Sequence, residues 1–251
     1  MTTETGTRDV LVVMELLLTA EIFKRNAALD INDLHPRYRE FFGAGSGGST
    51  EVKRPLVVSE GAIKKTLGIP DAVCQAVRAN PFVGYDEFGQ RLSLPSLDAA
   101  AGWFLKKSEV SRVGENPALA YYFEGKDGIT VSYQDVRAKM PRFEDTKEYI
   151  EAKVSRIIAG SEEMREARDL LIISAPDEIE FTLDKLVCTP RQEEAIRKIA
   201  VALEHREFLK EHGIYEFGRL LFVGPPGTGK TSLALAMSRA LHMPVLEVRL
   251  A

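Results

Sequence analysis

The chain has 251 residues, 45% hydrophobic and 28% charged, which is enough for one large or two ordinary domains with their own cores and argues against disorder as the main state. Its 33 Lys and Arg face 37 Asp and Glu, a formal charge of −4, so no global field draws it to nucleic acid or acidic lipid, and any such contact has to be local. Two cysteines, Cys74 and Cys188, lie far apart without a nearby cysteine or paired histidine, which argues against a disulfide framework or a zinc site and fits a reducing compartment.

From Asp9 to Ala28 there is no proline or glycine, and the charges gather toward the end; this predicts a helix with a wide apolar face packed against something large. Its greasiest part, Val10–Leu18, contains Glu15, is too short to span a bilayer and follows no basic leader, so the expected location is cytoplasmic. Phe41–Thr50 is rich in Gly and Ser and reads as a connector. Between Ser59 and Asn80 two short helical patterns flank Gly68-Ile69-Pro70. That spacing also fits a helix-turn-helix, but Asp71–Ala79 offers only Gln75 and Arg78 to a nucleic acid, so a helical packing unit is expected.

Ala120–Phe123 and Ile129–Tyr133 are β-rich runs around a Gly-containing connection, which predicts a hairpin. Ile150, Val154, Ile157 and Ile158 mark one face of a helix that stops near Gly160. Ser161 can cap another with Met164, Ala167, Leu170 and Leu171 inward. Pro176-Asp177-Glu178 reads as a boundary, dividing the chain into residues 1–175 and 176–251. The acidic cluster Asp177, Glu178 and Glu180 reads as solvated linker.

The strongest signal lies at Arg219–Ala240. Leu220–Val223 is a short apolar run, as expected of a strand buried on both faces of a parallel sheet. From Lys230 the sequence is rich in Ala and Leu, with Leu233, Met237, Ala240 and Leu241 on one helical face. Between them Gly224-Pro225-Pro226-Gly227-Thr228-Gly229-Lys230-Thr231 satisfies G-x-x-x-x-G-K-[ST] in the strand-loop-helix setting that the motif requires. A loop wrapped around a triphosphate must turn its N–H groups inward, which residues without a Cβ do most readily, hence Gly227 and Gly229. The helix N-terminus adds its dipole, Lys230 can reach the β- and γ-phosphates, and the Thr231 hydroxyl can ligand Mg²⁺.

Upstream, Thr189, Pro190 and Gln192 give three agreeing helix-start signals, and Ile196, Ile199, Ala200 and Leu203 form the inward stripe of a helix predicted to run to Gly213. Downstream, Pro244–Leu250 is strand-like, which predicts a βαβ crossover. His205 and His212 share a face of the predicted helix but have no third ligand, so no metal site is expected there.

From about Phe181 to Ala251 the sequence resembles the start of an AAA ATPase module of the AAA+ superfamily. GPPGTGKT is the Walker A form typical of that family, preceded by an entry segment, FTLDKLV, and a helix ending in EFLKEHGI, and followed by PVLEVRL. The implied fold is an α/β P-loop (AAA+ type) C-terminal portion, truncated, behind a mixed α+β, mainly helical N-terminal domain. The resemblance implies ATP and Mg²⁺ as cofactors and a nucleotide site at Gly224, Pro225, Pro226, Gly227, Thr228, Gly229, Lys230, Thr231 and Ser232. Lys230 is the catalytic residue and Thr231 the metal ligand. Leu186 and Val187 stand where the family's entry segment passes the adenine, although the glycines usual there are missing.

The family's pore loop, Walker B pair, sensor, arginine finger and helical lid would lie beyond Ala251. The expectation is therefore a fragment of a longer protein that binds ATP without hydrolysing it efficiently on its own. The parent is expected to be an ATPase that remodels a protein substrate. Its partners would be ATP or ADP, a substrate or adaptor on the N-terminal domain, and further copies of itself in a hexamer, with no nucleic acid and no membrane segment. The alternatives are a nucleotide-sensing interaction module without turnover and a nucleic-acid-associated AAA+ motor.

Overall fold

The computed structural model describes residues 2–126, 128–160, 168–215 and 219–249. The chain divides into two compact units, Met1–Phe143 and Glu144–Ala251. The boundary expected between Ala175 and Pro176 falls inside the second unit, because residues just before it pair with a strand near the end of the chain.

The first unit is built around α1 (Thr2–Arg25). Leu16, Leu17 and Leu18 are consecutive and all at most 2% exposed, so the helix is covered on every side instead of along one stripe. Around it pack α4 (Asp71–Arg78), α5 (Leu97–Lys107) and α6 (Pro117–Phe123), with α2 (Pro36–Phe41), α3 (Glu60–Leu67) and α7 (Tyr133–Lys139) completing the helices. A small antiparallel sheet in the order β1 (Val58–Ser59), β3 (Arg91–Ser93), β2 (Gly84–Asp86) sits beside them. Val58 is paired with Leu92, and both are buried in the helical core. The mainly helical N-terminal part with a little sheet is as expected.

The α3 and α4 pair also forms where the sequence places it, with Gly68 ending α3 in the left-handed region that glycine adopts freely. In the connector after α2, Gly45 has φ +86 and a Cβ there would meet the Phe143 ring at 2.3 Å, so the position is restricted by packing as well as conformation.

The predicted hairpin is absent. Residues 117–123 are helical because Asn116 caps the segment, Pro117 takes the first position, and Ala118, Leu119, Ala120 and Phe123 are buried. Burial against α1 outweighs the β propensity of the Tyr and Phe residues. The α7 helix is clamped to the turn that follows α1. Arg137 reaches the fully buried Asp33 at 3.0 Å and Asp30 at 2.6 Å, and the Tyr133 hydroxyl donates to Asp33 at 2.7 Å. Burial raises the Asp33 carboxyl above its usual range and, followed by its bond to Asp33, pushes Tyr133 up to about 12.

His35 caps α2, its Nδ1 accepting the Arg37 N–H at 3.3 Å. Burial, followed by the Arg37 and Arg39 charges, lowers the imidazole from its ordinary 6.5 to about 4. A depressed folded value means that the neutral ring stabilises the fold above pH 6.5 and that this contribution is lost as the pH falls through about 4. Protonation of Nδ1 also removes the acceptor that caps the helix. The melting temperature of the chain is expected to fall with acidification across this window. His35→Asn, which caps without titrating, should flatten the fall in a pH series of melting curves, and an unchanged slope would refute the assignment.

The second unit contains α8 (Lys147–Ala159), α9 (Pro190–Glu204), α10 (Arg206–Glu211) and α11 (Lys230–Ala240). β4 (Leu171–Ser174) pairs antiparallel with β5 (Val245–Val248), Leu171 opposite Val248. Leu171 is therefore in a strand and not on the helical face predicted for it. The expected cap at Ser161, with Met164 and Ala167, lies outside the described residues. The predicted crossover is likewise replaced: β5 takes β4 as its partner, and Leu220–Val223 forms no strand among the described residues. Leu221 and Val223 are 88% and 84% exposed, so this apolar run is not buried between sheet neighbours.

The start of α9 follows the sequence closely, with Thr189 and Gln192 forming a reciprocal capping box and Pro190 at the first turn. Its inward stripe is only half-buried. His205 interrupts the predicted single helix, standing between α9 and α10. No described helix is long and apolar enough to cross a membrane.

Candidate nucleotide-binding site

Residues 224–229 form a loop that leads straight into α11, whose first residue is Lys230. Gly227 and Gly229 both have φ +78. This is the left-handed region that L side chains avoid, so these two glycines supply the curvature of the loop. Gly229 is the N-cap residue of α11 and makes no side-chain cap, which leaves the first N–H groups of an eleven-residue helix available to an anion along with its positive dipole end. The loop residues Gly224–Gly229 and Thr231 are exposed, and Lys230 and Ser232 are half-buried.

Internal bonds shape the loop further. The Lys230 ammonium donates to the Gly224 carbonyl at 2.9 Å and to the Pro225 carbonyl at 2.7 Å. The Thr228 hydroxyl donates to the same Pro225 carbonyl at 2.9 Å. Lys230 therefore reaches back over the loop instead of out to solvent. Sequence reasoning did not anticipate the Thr228 latch, because a hydroxyl three residues after a carbonyl becomes an internal donor only once the loop has curled. The helix is seated by Ala236 and Met237, both buried, and by Arg239, which donates to the Ile179 carbonyl. Leu233 and Leu241 are half-buried, while Ala240 is exposed.

The family description "ATPase family associated with various cellular activities (AAA)" matches residues 220–251. This C-terminal segment is similar to AAA-family sequence. No curated protein and no solved structure matches the chain. The likeness is therefore to a family of ATPases, over this segment alone. The AAA match begins at the apolar run before the loop and takes in the loop, α11 and β5.

The other sequence candidates lie elsewhere in the second unit. Leu186 is half-buried and ends the turn Leu183–Lys185, which packs against α11 and so places the entry segment beside the helix that follows the AAA loop. Val187 is 104% exposed. Glu178 of the acidic cluster is engaged structurally, pairing with Lys147 at 2.7 Å and accepting the Ala175 N–H at 2.8 Å. Lys147, and then that N–H, hold its carboxyl below the usual range. His212 Nδ1 lies 2.8 Å from the Phe208 carbonyl. Among the described residues no three His, Cys, Asp or Glu side chains are grouped to hold a metal ion.

Proposed function

We propose that residues 224–232 bind Mg-ATP and that the chain serves an ATP-driven machine that remodels a protein substrate. The observation that carries this reading is the pair of left-handed glycines leading into an uncapped helix that begins with Lys230. In this reading the loop N–H groups from Gly224 to Gly229 cradle the phosphates and Lys230 exchanges its two carbonyl partners for phosphate oxygens. Thr231 and Ser232 follow in the first turn of α11, with the Thr231 hydroxyl as the ligand for Mg²⁺. The metal neutralises phosphate charge when bound. Leu186 and Val187 border the base. The loop fits such an anion because its backbone is exposed, two of its glycines are left-handed and the Lys230 ammonium lies over it.

The N-terminal unit, Met1–Phe143, engages a substrate or adaptor, and copies of the chain assemble as a ring, a hexamer by the family resemblance, in the cytoplasm. Lys230 is the residue through which the site acts on the phosphates. In this reading the 251-residue chain binds ATP and turns it over slowly. Calorimetric titration with ATP, with and without Mg²⁺, tests the binding, alongside a phosphate-release assay on the same sample. Saturable binding strengthened by Mg²⁺ with little phosphate release is expected. Absence of binding overturns the reading, and several turnovers per second overturn its hydrolysis part.

A further inference from the structure

Two surface features of the first unit each join an apolar group to a charge, of opposite sign in the two. One is the tip of the β2–β3 hairpin, where Phe88 is 105% exposed. The turn that carries it is tied down. Asp86 accepts the N–H of Phe88 at 3.2 Å and of Gly89 at 3.3 Å, and Gln90 offers its carbonyl to the Glu60 N–H at 3.0 Å. The ring is thus held in water by a built turn. Across the ladder Asp86 faces Arg91, so their charges offset. Glu87, exposed and with no recorded partner among the described residues, leaves a negative charge beside the ring.

The other feature is a groove of about 430 Å³ between α1, α4 and α5, lined by Val10, Leu11, Ala72, Ala76, Trp103 and Lys107. The small side chains of Ala72 and Ala76 on α4 leave the space, and Trp103 walls it. The indole is packed against Phe82, ring centroids 5.8 Å apart, so the wall does not need to reorganise to admit a ring. Lys107 at the margin is exposed and has no recorded partner among the described residues.

An aromatic side chain with an acidic neighbour thus answers an apolar groove with a basic margin. The hairpin contributes no residue to the groove lining, and Phe88 is fully exposed where it stands, so the two features do not satisfy each other within one chain. We propose that Phe88 of one copy seats in the α1/α4/α5 groove of a second copy, with Glu87 beside Lys107. Every copy carries both halves of this contact, which is therefore head-to-tail and repeats from copy to copy. The aromatic anchor sits at the centre and the charge pair on the rim, where charges set register more than strength. The contact does not use the phosphate loop, so it stands or falls separately from nucleotide binding.

The test places a photoreactive benzophenone amino acid at position 88 of the full chain. Equal amounts of unlabelled and ¹⁵N-labelled chains are mixed and irradiated without nucleotide. Mixed-label peptides joining position 88 to residues 72–76 or 103–107 are expected. Glu87→Lys or Lys107→Glu alone should lower their yield about fivefold or more, and the two reversals together should restore it to within about twofold. Crosslinks within one label only, to another segment, or to a different protein overturn the proposal. So does a double reversal that fails to restore the yield.

Discussion

The Lys230→Ala chain is expected to bind Mg-ATP roughly 10- to 100-fold more weakly than the parent while melting at nearly the same temperature. A hydrogen bond from a charged group contributes about 1.5–3 kcal/mol, and a loss of about 3 kcal/mol lowers affinity by roughly two decades. In the protein described here the ammonium is joined to the carbonyls of Gly224 and Pro225. In the proposed site, binding would replace these neutral acceptors with anionic ones, and the difference would be the share of affinity that Lys230 supplies. The loop is exposed and Lys230 only half-buried, so losing the side chain opens no core cavity and the fold is expected to survive. Lys230→Arg should not rescue binding, because a planar guanidinium replaces a compact ammonium that must turn back over the loop. Titration calorimetry on the three chains gives the result. A loss of less than about threefold for the alanine variant would remove Lys230 from the phosphates and sink the proposed site.

Features governed by one or two residues were legible in the sequence. Gly227 and Gly229 adopt the positive φ that a phosphate-wrapping loop demands, and Thr189, Pro190 and Gln192 start α9 as their side chains dictate. Gly68 ends its helix for a reason equally local. The misreadings arose where an apolar run suits either a helix or a strand and tertiary contacts choose between them. Residues 120–123 carry β-favouring aromatics, yet α1 offers them a buried helical seat and Asn116 starts the helix three residues earlier than the run itself suggests. Leu171 fits an α-helical stripe by spacing but finds Val248 across an antiparallel ladder. Leu220–Val223 has the composition of a central strand, and composition says nothing about which neighbours are there to cover it. The boundary at Pro176 marks a change in sequence pattern, whereas the pairing of β4 with β5 is a contact across more than seventy residues that no local window contains.

Asn116→Ala is expected to destabilise the chain by about 3 kcal/mol, combining a lost helix cap with a disrupted buried network. Asn116 is completely buried. Its Oδ1 accepts the N–H groups of Ala118 at 3.1 Å and Leu119 at 3.3 Å. Its Nδ2 donates to Glu15 at 2.9 Å and to the Thr19 hydroxyl at 3.2 Å. One amide thus starts α6 and joins it to the middle of α1, where Glu15 is 2% exposed. Alanine would leave Glu15 with Arg112 at 3.6 Å as its recorded charged partner, and a buried carboxylate stripped of a donor is costly. Asn116→Ser separates the two contributions, since a serine caps a helix about as well but is too short to reach Glu15 while doing so. Urea unfolding should therefore place the serine variant between the parent and the alanine variant. A double-mutant cycle with Glu15→Gln should show coupling of about 1 kcal/mol or more, because the two side chains are in direct contact. Additive effects within about 0.3 kcal/mol would mean that the bridge between α1 and α6 is energetically idle and that the cap alone accounts for the buried asparagine.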